Sequence, residues 1–357
     1  MFYKISTKKT PLSSLIMSLP EDVIIDILAR VPRCDYPKLS LVSKHFRSLV
    51  VSPELYARRS LLGCTEHCLY AVIFNNETKD FHLYILRPKN NGNRCLVLIP
   101  SLPTMCYGVS FVAVGPRIYM FGGDQKNMAS SIDCRSHMVQ TLPSMPVPMS
   151  FTIAGSIDGR IYVIGYRDYN RWNNVMVVFN TKTQMWEPEI IKIDIELRSM
   201  WSKWSYGCVV MADKLYMRDD KNSFIYDPKK SKWERDERLN SKKWKCACVV
   251  DDVLYYHDTY KNEVRAYDPK QKRWSVVKGL EELLSETTNS WYSDIMCCGG
   301  KLALFFPKII IKTKQNEVWC AEISLKKHRG EIWGRVEWYD NVLTGNCCVT
   351  KPLTVMV

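Results

Sequence analysis

The sequence lacks the patterns on which most enzymes, membrane proteins and exported proteins depend. Histidine occurs only six times. The signatures GxSxG, HExxH, GxxxxGKS/T and GxGxxG are missing, which removes the common routes to a nucleophile elbow, a zinc-bound water, a phosphate cradle and a dinucleotide fold. His257 and Asp258 are adjacent, but neighbours on a strand point to opposite faces, so they make a poor acid–base pair. No run reaches the roughly 18 apolar residues that a membrane span requires. The longest candidate, LALFFPKIII, is broken by Pro307 and Lys308. The opening MFYKISTKKTPLSSLIMSLP has lysines, but its apolar run is short and interrupted by Ser and Pro, so no secretory leader is expected. Acidic residues are outnumbered, 37 against 50 Lys and Arg, for a formal charge of +13. That balance favours acidic partners or simply solubility.

Cysteine is present fourteen times but without order. Cys64 and Cys68, Cys246 and Cys248, Cys297 and Cys298, and Cys347 and Cys348 do not form paired CxxC sets, so no metal site is expected. They read as small buried hydrophobes in a reducing compartment, which places the chain in the nucleus, the cytoplasm or both. The 357 residues are 46% apolar and 24% charged, a globular balance. The length exceeds one ordinary core and suits two domains, or a repeat architecture with an appendage. Most of the 11 Trp and 19 Tyr lie after residue 100.

The pattern divides the chain into a flexible segment 1–12, a helical head 13–62 and a strand-rich body 68–357. In SLPEDVIIDILARVP, Ser18 and Glu21 have capping-box spacing and Pro20 falls in the first turn. Val23, Ile24, Ile27, Leu28 and Val31 then recur on one helical face until Pro32. A second helix is expected from Asp35, with Leu39, Val42, Phe46, Leu49 and Val50 on its apolar face, and ELYARRSLL reads as a third. About fifty residues are near the lower limit for an independent core. Leu19, Ile24 and Leu41 widen the apolar stripe, so the surplus packs either on the body or on a partner.

LPEDVIIDILARVP followed by LSLVSKHFRSLVVSP resembles an F-box. The match rests on Leu19-Pro20, Asp22, Ile27-Leu28, Val31-Pro32, the run Leu41 to Lys44, Phe46, Arg47 and Ser52-Pro53, taken together in order. Phe46 stands where Trp is common. The resemblance implies a Skp-type adaptor as partner and, through it, a cullin ubiquitin-ligase scaffold. By that analogy Leu19, Pro20, Ile27, Leu28, Pro32, Leu41 and Val42 are the contact or supporting residues, some of which must belong to the head's own core.

The body repeats. RIYMFGG, RIYVIGY, KLYMRDD, VLYYHDT and KLALFFP recur at propeller-like intervals, and each follows another apolar strand and a turn. In VVFNTKTQMW, FIYDPKKSKW and RAYDPKQKRW, an aromatic–Asn/Asp pair stands seven residues before Trp186, Trp233 and Trp274. The Asn or Asp suits a tight turn, and the Trp would fill the wedge between sheets. This pattern resembles the kelch repeats found behind an F-box in plant F-box/kelch proteins. Its structural residues are Gly122, Gly123, Tyr162, Trp186, Tyr226, Asp227, Trp233, Tyr267, Asp268 and Trp274. Val139 takes the tryptophan's place in one repeat, and only one repeat keeps the double glycine. Five repeats are recognisable. HCLYAVIFNNETKDFHLYIL supplies strands for another, and the terminal CCVTKPLTVMV supplies a closing strand. The expected fold is a small all-α F-box head followed by an all-β kelch propeller of six blades, with five or seven as alternatives. An extended hairpin or loop is expected within 312–340.

The loops YRDYNRWNN, RSMWSKWSYG and LNSKKWKC set Arg and Lys beside Trp and Tyr, the residue types of protein-binding hot spots. Ring packing is the plainer reading, and single-stranded nucleic acid is the least favoured partner. The resemblances together imply a non-catalytic substrate receptor of a cullin-type ligase, without cofactor or membrane, whose propeller holds an unidentified target. The alternatives are a propeller enzyme or metal-dependent specifier protein, and an adaptor-binding scaffold that promotes no ubiquitination.

Overall fold

The computed structural model describes residues 19–357 apart from 90–91, 124–125, 169–172, 194, 196–206, 220, 288–289, 291 and 311–314. The expected flexible segment, the first residues of the head and Ser18 of the capping box lie outside the described residues. The chain divides into two compact units, one ending at Glu66 and joined by Val357, the other His67–Met356.

Among the described residues the head holds four short α-helices, α1 (Glu21–Ala29), α2 (Tyr36–Leu39), α3 (Lys44–Leu49) and α4 (Pro53–Leu61), with a 3-10 turn at Arg33–Asp35. Pro20 stands one residue before α1, and its carbonyl accepts from Val23 and Ile24. The expected second helix is two helices. Ser43 is extended, and its side chain accepts from Phe46 N–H at 3.1 Å. That cap starts α3 afresh and leaves Leu41 and Val42 in the turn. Ser52 caps α4 likewise through Leu55 N–H. Ile24, Leu28, Ala29, Phe46, Leu49, Val50, Leu55 and Tyr56 are buried. Ile24 therefore belongs to the head's core and is no part of an exposed surplus. Polar links reinforce this small core. Arg59, itself buried, donates to the Ala29 and Val31 carbonyls, to the Tyr36 hydroxyl and to Glu66. Arg58 pairs with Asp26 through both carboxylate oxygens.

The body is built of antiparallel meanders of four strands, one of which gains a short fifth strand, Ile191–Lys192, as the alternating pattern allows. One eight-stranded sheet consists of two meanders fused where Val277 and Lys278 pair in parallel with Ile332 and Trp333. Six meanders are present among the described residues. Their leading strands are Cys347–Met356, Val109–Val114, Ser150–Ile157, Gly207–Met211, Cys248–Val250 and Asp294–Cys298. Each of these lies beside the next around a closed ring. The terminal strand Cys347–Met356 pairs with His67–Asn75, so the first and last strands of the body share one sheet and no edge is left between them.

The recurring aromatics lie at matching positions of their sheets. Trp186, Trp233 and Trp274 stand opposite Phe179, Tyr226 and Tyr267 in strand register. Val139 takes the matching position opposite Ile132. The Trp rings lie 4.9–5.0 Å from those partners. They also bridge sheets: Trp186 lies against Phe121 and donates to the Pro143 carbonyl, and Trp274 donates to the Arg238 carbonyl. Tyr162 packs with Tyr226 of the following meander. Asp227 and Asp268 accept from backbone N–H groups two residues on, which closes their turns. Gly122 has φ +89°, and a Cβ there would sit 2.6 Å from Thr152 Oγ1. Gly123 is also left-handed, at +136°. The long segment near the end is a hairpin of Gln315–His328 and Glu331–Gly345, running past the expected limit at 340.

Candidate functional site

The candidate docking surface is set by the way α1 divides its apolar residues. Residues three and four apart share a helical face, so Ile24 and Leu28 line up, as do Val23 and Ile27 one step round. Leu28 is 2% exposed and Ile27 46%. The head's core takes only the inner half of the stripe. Leu19, Pro20, Val23, Pro32, Leu41 and Val42 are also exposed, with Leu41 at 78%. Six of the seven residues expected from the resemblance thus face outward. Leu28 is the exception and belongs to the supporting core. Val23 was missing from that set although its spacing from Ile27 marked it. Val51 and Leu61 are exposed as well. Around this surface, Arg58 holds the Asp26 carboxyl below its ordinary range through their hydrogen bonds.

An apolar surface of this kind binds by removing area from water, at roughly 25 cal/mol per Å². It can form no bond with a substrate. The described residues contain no group of His, Cys, Asp and Glu able to hold a metal ion. No disulfide joins the cysteines, and no described helix is long and apolar enough to cross a membrane. His257 is buried, with Nδ1 2.7 Å from Ser293 Oγ and Nε2 3.3 Å from Asn262 Oδ1, and burial lowers its pKa. Asp258 instead engages Arg265 and Tyr256. The two adjacent side chains therefore do not act on each other as acid and base.

A second surface lies on the body. Arg218, Asp219, Lys243, Lys245, His257, Asp258 and Tyr260 are among the residues lining a cleft of about 340 Å³. Lys243 and Lys245 come from LNSKKWKC. Trp244 between them follows the ring-packing reading of that loop and not the hot-spot one: it is fully buried, its Nε1–H donates to Ser223 Oγ, and its ring fills the space beside Gly207. It is a core residue and offers no ring to a partner. Tyr166 is buried too, and the central residues of the other two aromatic loops, 169–172 and 198–206, lie outside the described residues. Tyr260, which no sequence motif marked, is the exposed ring of the cleft.

Comparison with known proteins agrees with both units. A family model described as the F-box domain matches residues 16–58, and one described as the FKB95 Kelch-repeats domain matches residues 76–343. An F-box/kelch-repeat protein of Arabidopsis thaliana is 46% identical, over 96% of this chain and 95% of its own. A putative F-box/kelch-repeat protein of the same plant is 39% identical over 92% and 88%. A third relative, also an F-box/kelch-repeat protein, is 37% identical over 96% and 90%. A solved structure of YjhT overlaps 72% of this chain and 92% of its own, at 12% identity and a TM-score of 0.46.

Proposed function

The chain belongs to the F-box/kelch-repeat family, and from that premise we propose that it is the substrate-binding subunit of an SCF-type ubiquitin ligase. The head docks on a Skp-type adaptor and through it on a cullin scaffold. The body holds a target protein near the ubiquitin-charged enzyme. The contribution is effective concentration: the target is kept within reach, so transfer to it becomes quasi-intramolecular. No step of the chemistry is assigned to this chain. An SCF subunit acts inside the cell, so the same reading places the chain in the nucleus or cytoplasm, which imaging of a tagged chain checks.

The observation that carries the reading is the outward half of α1, with Ile27 exposed beside the sealed Leu28. A helix that faced only its own core would have no use for Ile27. The test is co-purification of the full chain with a Skp-type adaptor, followed by the same experiment with Ile27→Asp. The complex is expected with the wild-type chain and lost with the variant, whose thermal melting stays within a degree or two of wild type. An Ile27→Asp chain that folds and binds the adaptor normally overturns the assigned face. Absence of any complex with the wild-type chain overturns the ligase reading.

A further inference from the structure

Apart from the docking face of the head, one of the body's cavities combines unusual features. It has a volume of about 140 Å³ and is lined by residues from several leading strands. Three separate features meet there. First, backbone distortion is concentrated at its wall. Apart from glycines, the described residues with left-handed φ lie in hairpin turns, with two exceptions: Phe151 at +50° and Cys246 at +48°. Both line the cavity. Second, two of the leading strands carry a register break, between Ser150 and Ile153 and, opposite Val72 and Ile73, around Thr350. Phe151, Thr152, Thr350 and Lys351, at these two bulges, all face the same cavity. Left-handed bulky residues and bulges cost energy and persist where they aim side chains at a site.

The third feature is charge. Asp294 is only 5% exposed, yet its one side-chain hydrogen-bond partner among the described residues is the Cys246 thiol, a weak donor. A carboxylate offers about four acceptor positions, so most of its capacity is unused. Lys351 lines the same cavity, and its charge acts on Asp294, Cys208 and Cys246. No ion pair joins it to Asp294 or to any other described carboxylate. Two opposite charges thus border one small space without neutralising each other by contact. Phe111, Phe151 and Ile153 supply an apolar wall.

We propose that this cavity binds a small zwitterion of amino-acid size, with its ammonium on Asp294 and its carboxylate on Lys351. The volume fits that class. At about 140 Å³ it is well under the roughly 300 Å³ where drug-sized sites begin. A bipolar ligand meets the buried Asp294 and the half-buried Lys351 at once, which a singly charged molecule cannot do. Every residue of the site lies between 108 and 351, so the proposal stands apart from the reading of the head.

The test is titration calorimetry on the purified full chain with four probes: L-valine and 4-aminobutyrate as zwitterions, butylamine and butyrate as their single-charge counterparts. At least one zwitterion is expected to bind, about tenfold or more tighter than both butylamine and butyrate. Asp294→Asn and Lys351→Met should each weaken that binding by about tenfold or more. The proposal is overturned if neither zwitterion binds at about 10 mM, if butylamine or butyrate binds as tightly, or if both variants bind like wild type. The wild-type titrations decide the matter even if a variant fails to fold, and a negative result leaves the docking face of the head untouched.

Discussion

The head and the body put the same kinds of side chain to opposite uses. In the body, large rings are sealed between sheets: Trp244, Tyr226 and Tyr267 are all among the fully buried side chains. In the head, Leu41 stays 78% exposed and Ile27 nearly half exposed. The difference is one of geometry. A ring of meanders covers much of both faces of each sheet, so most apolar residues find a neighbour, and those left exposed, such as Tyr260 and Met138, are scattered over the body. The short helices described in the head do not surround their own stripes, so part of the apolar surface is left over. Hydrophobicity alone therefore does not separate buried residues from exposed ones; the architecture around them does.

The largest effect is expected where the body is most tightly sealed. Trp244→Ala removes a buried indole, its bond to Ser223 and the ring that fills the space beside Gly207. A loss of about 3–5 kcal/mol is expected for such a truncation. Denaturant unfolding of the full chain, followed by near-ultraviolet circular dichroism, reads it. A loss below about 1 kcal/mol would mean that this ring is dispensable and that the body is not the sealed unit contrasted with the head.

Next comes a contrast between neighbours on α1. Leu28→Ala is expected to destabilise the head by about 2–5 kcal/mol, whereas Ile27→Ala should stay within about 0.5 kcal/mol in stability. The order reverses for adaptor binding, where Ile27→Ala loses buried area and Leu28→Ala acts only through folding. Hydrogen exchange resolved to the head separates the two, because a single unfolding midpoint blurs two units. Equal stability losses at both positions would erase the inner and outer halves of the helix.

The sequence made this contrast only partly legible. The apolar repeat at 23, 24, 27 and 28 marked α1, but periodicity cannot say which part of a wide stripe is covered. The continuous pattern from Leu39 to Val50 suggested one helix, because spacing carries no record that Ser43 turns its side chain onto Phe46 N–H and restarts the chain. In the body, local signals worked better. Asp227 and Asp268 with the tryptophans six residues on define hairpins whose pairing is almost entirely local. Trp244 was ambiguous because its basic neighbours resemble a binding loop, and only the packing beside Gly207 settles its place. The cavity at Asp294 was illegible for a further reason: Ser110, Thr152, Cys246, Asp294 and Lys351 have no common spacing and meet only when the ring closes.

A third effect belongs to the interior of the body and depends on pH. Burial raises the Asp294 carboxyl from 3.8 to about 6, against the opposing influence of the Cys246 hydrogen bond, Lys351 and Lys245. The folded state therefore holds this proton more firmly than the unfolded state does. The associated stability is fully present below about pH 4 and is lost as pH rises towards 6. The size is on the order of 3 kcal/mol, at about 1.4 kcal/mol per pH unit. Asp294→Asn should flatten that part of the stability–pH curve relative to wild type. Parallel curves for the two proteins between pH 4 and about 6.5 would show that the carboxyl is solvated, and the contrast between a sealed body and an open head would weaken.

The smallest effect concerns how the head holds its exposed residues in place. Ser43 Oγ accepts from Phe46 N–H at 3.1 Å, and Ser52 Oγ from Leu55 N–H at 3.2 Å. Each satisfies one of the donors that a helix start leaves open, and replacement by Ala should cost about 1 kcal/mol. The two caps serve different ends. Ser52 starts α4, which carries Arg58 and Arg59 to α1 and its following turn. Ser43 ends the turn that presents Leu41 and Val42. Ser52→Ala should therefore lower head stability with adaptor affinity nearly unchanged. Ser43→Ala should lower both, because a turn freed from its cap must be reordered on binding. Equal affinities for the two variants, measured at a temperature where both heads are folded, would show that Leu41 and Val42 contribute little to docking and that the outer face of α1 acts alone.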